Sequence, residues 1–164
     1  WVMPPLMFDG DEIQALLVGL RMARAFTDDE LARAATRAEE KLRAALDDSG
    51  LRRADRSPYA APVPTEAPES RALHLVIRKA AEERRKLRIA YHDEAGAETR
   101  RVIHPVALIR WRAVWTLVAH CELRGAERHF RIDRIGAAEA LEERFPEPPA
   151  SLRAALAKWG GRGP

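Results

Sequence analysis

Apolar residues recur at helical spacing in the first third of the chain and alternate with polar ones in the second half. Ile13, Leu16, Leu17 and Leu20 form a stripe that predicts a helix over 9–25. Asp9, with Glu12 three residues later, supplies its capping box. Thr27 with Glu30 repeats the signal and opens a second helix to about Leu46. Leu31, Ala34, Ala35, Ala38, Leu42 and Leu46 fall on one side of it, and Asp47-Asp48-Ser49-Gly50 reads as its stop. Two short amphipathic helices cannot bury both stripes well alone. Another element of the chain or a second chain must cover them.

Residues 51–70 then bring Pro58, Pro62, Pro64 and Pro68 among small and charged residues, the composition of a semi-extended linker. A third helix is expected from about Ser70 to Lys86, with Leu73, Val76, Ile77 and Ala80 on one side. From Leu87 the period becomes two. Leu87, Ile89 and Tyr91 alternate with Arg88, Ala90 and His92, and Asp93-Glu94-Ala95-Gly96 turns the chain. Further strands are predicted over Arg100–Ile109, Val114–Cys121, Arg128–Arg134 and Ala138–Arg144, with Pro105 marking an edge or a bulge. The expected fold is α+β: an N-terminal helical segment, then a helix and a small closed or half-closed five-stranded barrel. The expected organisation is a helical segment over 1–50 that links or dimerises, a Pro-rich linker over 51–70, a barrel over 71–145, and a tail over 146–164 with a short helix from Ser151 to Trp159.

Charge changes this picture by half. Residues 1–70 hold 9 Lys+Arg against 13 Asp+Glu, whereas residues 71–145 hold 16 against 11. Only four of the 28 cations are lysines, and the planar fork of arginine suits phosphate and carboxylate. GC-rich coding bias produces the same excess of Arg and Ala, so the count alone does not decide. The single cysteine, Cys121, excludes an internal disulfide framework and fits a reducing, cytoplasmic setting. No apolar run approaches the roughly 20 residues that span a bilayer. The first residues, Trp1-Val2-Met3-Pro4-Pro5, do not read as a signal peptide, and without an initiator Met the chain reads as a fragment.

Enzymatic motifs are lacking. There is no nucleophile elbow, no glycine-rich phosphate loop and no His-Glu-x-x-His helix, so no catalytic residue, metal or cofactor is assigned. His120 and Cys121 are adjacent in a predicted strand and so point to opposite faces. The arginines carry more. By strict alternation Arg128, Phe130, Ile132 and Arg134 share one face of their strand, and His129, Arg131, Asp133 and Ile135 share the other. Asp133 is placed to pair with a neighbouring arginine and fix its fork, and Arg100 and Arg101 are candidates for the same patch. Arginines beside Tyr91, Trp111, Trp115 and Phe130 would suit single-stranded nucleic acid or a nucleotide. The alternative is that Trp115, Leu117, Phe130 and Ile132 are core and the arginines pair with local carboxylates.

Four stretches carry a family resemblance: Leu87-Arg88-Ile89-Ala90-Tyr91, Thr99 to Pro105, Trp115-Thr116-Leu117-Val118-Ala119, and Arg128-His129-Phe130-Arg131-Ile132-Asp133-Arg134-Ile135. In order and spacing they resemble the WYL domain, a sensor module of bacterial transcription regulators. Met3 to Phe8, Asp11-Glu12-Ile13 and Leu17 to Arg21 resemble the segment that joins a winged helix-turn-helix to that module in YafY-like regulators. The resemblance implies an Sm-like, SH3-type barrel and a helix-turn-helix preceding Trp1 that contacts operator DNA; a homodimer is expected besides. It implies a single-stranded nucleic acid or nucleotide effector held by Arg101, Trp115, Arg128, Phe130, Arg131 and Arg134. Thr116 stands where the name-giving tyrosine would be, which removes a stacking ring and leaves a hydroxyl. A protein-interaction barrel without a small ligand is the competing expectation.

Overall fold

A computed structural model describes residues 7–60, 68–111 and 114–147. The chain divides into two compact units between Arg71 and Ala72. The C-terminal helix expected at 151–159 lies outside the described residues.

The first unit contains three helices: α1 (Gly10–Phe26), α2 (Asp29–Ala44) and α3 (Asp48–Asp55). Asp9 caps α1 as expected: its Oδ1 accepts from Asp11 N and Glu12 N at 2.9 Å, and Glu12 Oε2 accepts in turn from Asp9 N at 2.8 Å. The second cap sits one residue later than the sequence suggests. Asp28 caps α2 by accepting from Glu30 N and Leu31 N at 3.1 Å. Thr27 instead ends α1, its hydroxyl donating to Ala23 O at 2.6 Å. Leu31 is correspondingly exposed, and Ala32 and Ala35 are the buried positions of α2.

Helix α3 was not expected and occupies the start of the stretch read as linker. Asp47-Asp48-Ser49-Gly50 is both the end of one helix and the start of the next. Asp47 caps α3, its Oδ1 accepting from Gly50 N at 2.8 Å. The new helix supplies part of the missing cover, because Ala54 is buried with Leu17 and Ala25 of α1. Small residues let the helices approach closely. Arginines then tie them: Arg43 bridges Glu39 on its own helix and Asp55 of α3 at 3.2 and 2.9 Å, and Arg53 of α3 pairs with Asp11 of α1.

Helix α4 (Pro68–Glu83) spans the division and leads into the second unit. It ends at Arg84, which has φ 55°, a left-handed backbone that turns the chain into the sheet. The strands are β1 (Arg85–His92), β2 (Glu98–Trp111), β3 (Val114–Cys121), β4 (Ala126–Arg131) and β5 (Ile135–Arg144). All pairings are antiparallel, in the order β4-β3-β2-β1-β5. The expected barrel is therefore not closed: no ladder joins β4 to β5 among the described residues. The sheet still curls. Two strands, β3 and β2, separate Phe130 of β4 from Tyr91 of β1 in that order, yet their ring centroids are 5.1 Å apart. Register shifts assist the curl, one in β2 between Pro105 and Ala107 and two where β1 meets β5.

The core fills the concave side. Ile77 and Ala80 of α4 pack with Leu87, Ile89, Ile103, Leu117, Ala119, Cys121, Phe130, Ile132 and Ile135, all nearly inaccessible. Alternation explains β3, where Leu117, Ala119 and Cys121 face this core. Val118 and Thr116, on its other face, are buried as well. Among the described residues, no helix is long and apolar enough to cross a membrane.

Candidate functional site

The predicted fourth strand is shorter than its sequence pattern. β4 stops at Arg131, and Ile132–Arg134 form a 3-10 turn before β5. Period two therefore fails beyond Arg131, and the expected pairing of faces must be corrected. Ile132 and Ile135, assigned to opposite faces, both enter the core, while Arg131 and Asp133 stay exposed. A turn of about three residues per repeat, not two, sets these directions.

This turn and the end of the β1–β2 hairpin assemble one cluster. Arg101 lies with its guanidinium carbon 5.9 Å from both the Tyr91 and the Phe130 ring centroids. Its Nε donates to the Thr99 hydroxyl at 3.0 Å. Phe130 meets Tyr91 edge-on at 83°. Arg131 is gripped by Asp133 through two bonds, 3.1 Å to Oδ1 and 2.7 Å to Oδ2. Both Arg134 terminal nitrogens reach Glu94 Oε1 at 3.3 Å. The Arg131 side-chain bond holds the Asp133 carboxyl below its usual range, and Asp133 in return raises Arg131. Tyr91 and Glu94 also lie within electrostatic reach of Arg131.

Of the seven candidate residues, Arg101, Phe130, Arg131 and Arg134 come together here. Arg128 lies on β4 opposite Ala119, exposed, two residues before Phe130. Thr116 is the cross-strand neighbour of Arg131 and is buried. Trp115 stands apart from the ring pair: half-buried, it packs against the core, and its indole meets His74 of α4 edge-on at 5.4 Å. Its Nε1 is buried without a hydrogen-bond partner. Phe130 belongs to the core, and its 2% exposure does not prevent the contact with Arg101. Sequence reasoning missed Glu94 and Thr99. Glu94 sits in a recognisable turn, but nothing local reveals that it reaches Arg134, forty positions away in the chain.

A second polar group lies elsewhere on the sheet. Lys86 Nζ bonds both Glu122 and Glu143 at 2.8 Å, and Glu122 also meets His104 Nε2 at 2.8 Å. The Lys86 bond first, and the His104 bond second, depress the Glu122 carboxyl. The His104 ring stacks on Phe145 at 5.1 Å. Among the described residues, no three His, Cys, Asp or Glu side chains are grouped to hold a metal ion.

Residues 72–140 match the family model of the WYL domain, from the second turn of α4 into β5. Among solved structures, the chain is similar to proteasome accessory factor B/C (PafBC) of Arthrobacter aurescens. Identity is 25% and the TM-score 0.47, with 92% of this chain and 23% of that chain covered. The chain thus spans under a quarter of the length of that structure.

Proposed function

We propose that this chain is the ligand-sensing and oligomerising part of a bacterial DNA-binding transcription regulator, of the YafY-like kind, with a non-enzymatic role. Its effector is an anion of the single-stranded nucleic acid or nucleotide class, held on the arginine-rich rim of the curled sheet. Operator DNA is contacted by a helix-turn-helix elsewhere in the protein, and the working form is a homodimer.

The observation that carries the reading is Arg101 set over the Tyr91 and Phe130 rings, with Arg131 within electrostatic reach of Tyr91 and of Glu94, the partner of Arg134. Guanidinium forks take phosphate oxygens in pairs, and a cation pinned on aromatic faces loses little freedom when an anion arrives. The WYL match supports the regulatory role, because that module is known as a sensor in transcription regulators. Thr116, buried beside Arg131, offers no ring at the position of the family tyrosine, so base stacking rests on other residues.

The test is binding of a fluorescein-labelled oligothymidylate of about eight nucleotides, the scale of a single-stranded site. Affinity should fall as salt rises, and Arg101→Ala, Arg131→Ala, Arg128→Ala and Arg134→Ala should weaken binding and flatten the salt slope. Unchanged binding in all four variants would leave a protein-interaction surface as the better reading.

A further inference from the structure

Two carboxylates already occupy the arginine cluster, and their geometries differ. Asp133 belongs to the same 3-10 turn as Arg134 and sits two residues from Arg131. It grips Arg131 with both oxygens, at 3.1 and 2.7 Å. That is a local, two-point contact of the kind that fixes a guanidinium plane. Glu94 comes from the β1–β2 turn. Its single Oε1 faces both Arg134 nitrogens at 3.3 Å, and its side chain is 87% exposed. That is a long, one-oxygen contact across forty positions of sequence.

The turn that carries Glu94 is itself fixed. Asp93 O accepts from Gly96 N at 3.1 Å, and Asp93 Oδ1 accepts from Ala97 N at 2.9 Å. Gly96 adopts φ 82°, a conformation that suits glycine. Only the Glu94 side chain needs to swing for the Arg134 fork to open. A phosphate brings two or more oxygens to that fork where Glu94 brings one, so it wins the exchange when it binds. A carboxylate at Glu94 also repels any anion approaching Arg131 and Arg134.

We propose that Glu94 is a built-in competitor for the anionic effector, occupying Arg134 until a phosphate displaces it, while Asp133 is a positioning residue that holds Arg131 ready. This rests on the anion-site reading above and sets its selectivity: single carboxylates compete poorly, and ligands with phosphate oxygens displace the internal one.

Charge counting and geometry predict different outcomes, which makes the idea testable. Glu94→Gln and Asp133→Asn each remove one negative charge from exposed positions. If net charge alone governed binding, both would tighten it equally. The proposal expects Glu94→Gln to tighten binding of the labelled oligothymidylate by about two- to fivefold, the scale of an exposed ion pair. It expects Asp133→Asn to weaken binding by about threefold or more despite the same gain in charge. Thermal melts establish that both variants are folded. Equal tightening in both overturns the role of Asp133, and no tightening in Glu94→Gln overturns the role of Glu94. If the unaltered chain and both variants fail to bind at low salt, the anion site itself falls.

Discussion

The contact between Arg101 and the Phe130 ring can be isolated by substitution. Phe130→Leu keeps an apolar side chain at a position with 2% exposure but removes the ring. It loses the edge-on contact with Tyr91, the cation above it, and some packed volume. An edge-on pair contributes about 0.5–1.5 kcal/mol and a cation over a ring about 0.5–2 kcal/mol, so the substitution should cost about 1–3.5 kcal/mol. At 5.9 Å the guanidinium lies near the outer limit of such contacts, which places the Arg101 share at the lower end, about 0.5–1 kcal/mol. Arg101→Met keeps the stem of the side chain and removes the charge. Urea unfolding of the two single variants and the double variant closes a cycle whose coupling should equal that share. Coupling below about 0.3 kcal/mol, with both single variants destabilised, would mean that Arg101 merely passes the ring. The account of a cation preorganised on aromatic faces would then fail.

Arg84 stands at φ 55° between α4 and β1, and its carbonyl accepts from Phe145 N at 2.9 Å. Arg84→Gly should relieve a left-handed strain of about 1–2 kcal/mol, less the added freedom of the unfolded chain, a net gain of about 0.5–1 kcal/mol. The melting temperature should rise accordingly, whereas Arg84→Ala should leave it unchanged. In the first unit, Asp28→Ala should cost about 1–2 kcal/mol because it strips two amide bonds from the start of α2, and Thr27→Ala should cost less; helix content followed through a urea titration separates the two. Glu122 titrates below its usual value because it accepts from Lys86 and then from His104, so its contribution is complete above that usual value and is lost as pH falls through the depressed one. Glu122→Gln should therefore flatten the acid-side decline in melting temperature, and an unchanged acid limb would show that the pair contributes nothing.

Local signals were legible in the sequence and long-range ones were not. The Asp9 box, the third strand from Val114 to Cys121 and the irregularity at Pro105 each depend on residues within a few positions of one another. Asp47 misled for the same reason in reverse: one local pattern served as stop and start, and only the buried Ala54 tells which. Arg128 to Arg134 looked like one strand because alternation of apolar and charged residues persists into the 3-10 turn. What ended the strand was burial of Ile132 and Ile135 in the same core, a tertiary demand. Arg131 with Asp133 was readable at a spacing of two. Arg134 with Glu94, and Arg101 over Phe130, join separate elements and depend on how strongly the sheet curls.

That dependence links scaffold to site. In a flat sheet, β1 and β4 stand about 14 Å apart across three inter-strand spacings, well beyond ring contact. Here Tyr91 and Phe130 touch, so curvature supplies the approach that closure by a β4–β5 ladder would otherwise impose. The bulge at Pro105 and the β1–β5 shift near Arg85 lie outside the arginine cluster, whereas the shift at Ala90–Tyr91 reaches into it. An open sheet can also flex about such points at lower cost than a closed one, because no ladder between its edge strands must break. An anion that draws Arg101 on β2 and Arg131 at the end of β4 toward one phosphate pulls on strands two places apart, and so pulls on the curl itself. On the proposed anion site, binding and sheet curvature would be one equilibrium, and the core, with Ile77 and Ala80 of α4 packed in it, is the part of the molecule that would register the change.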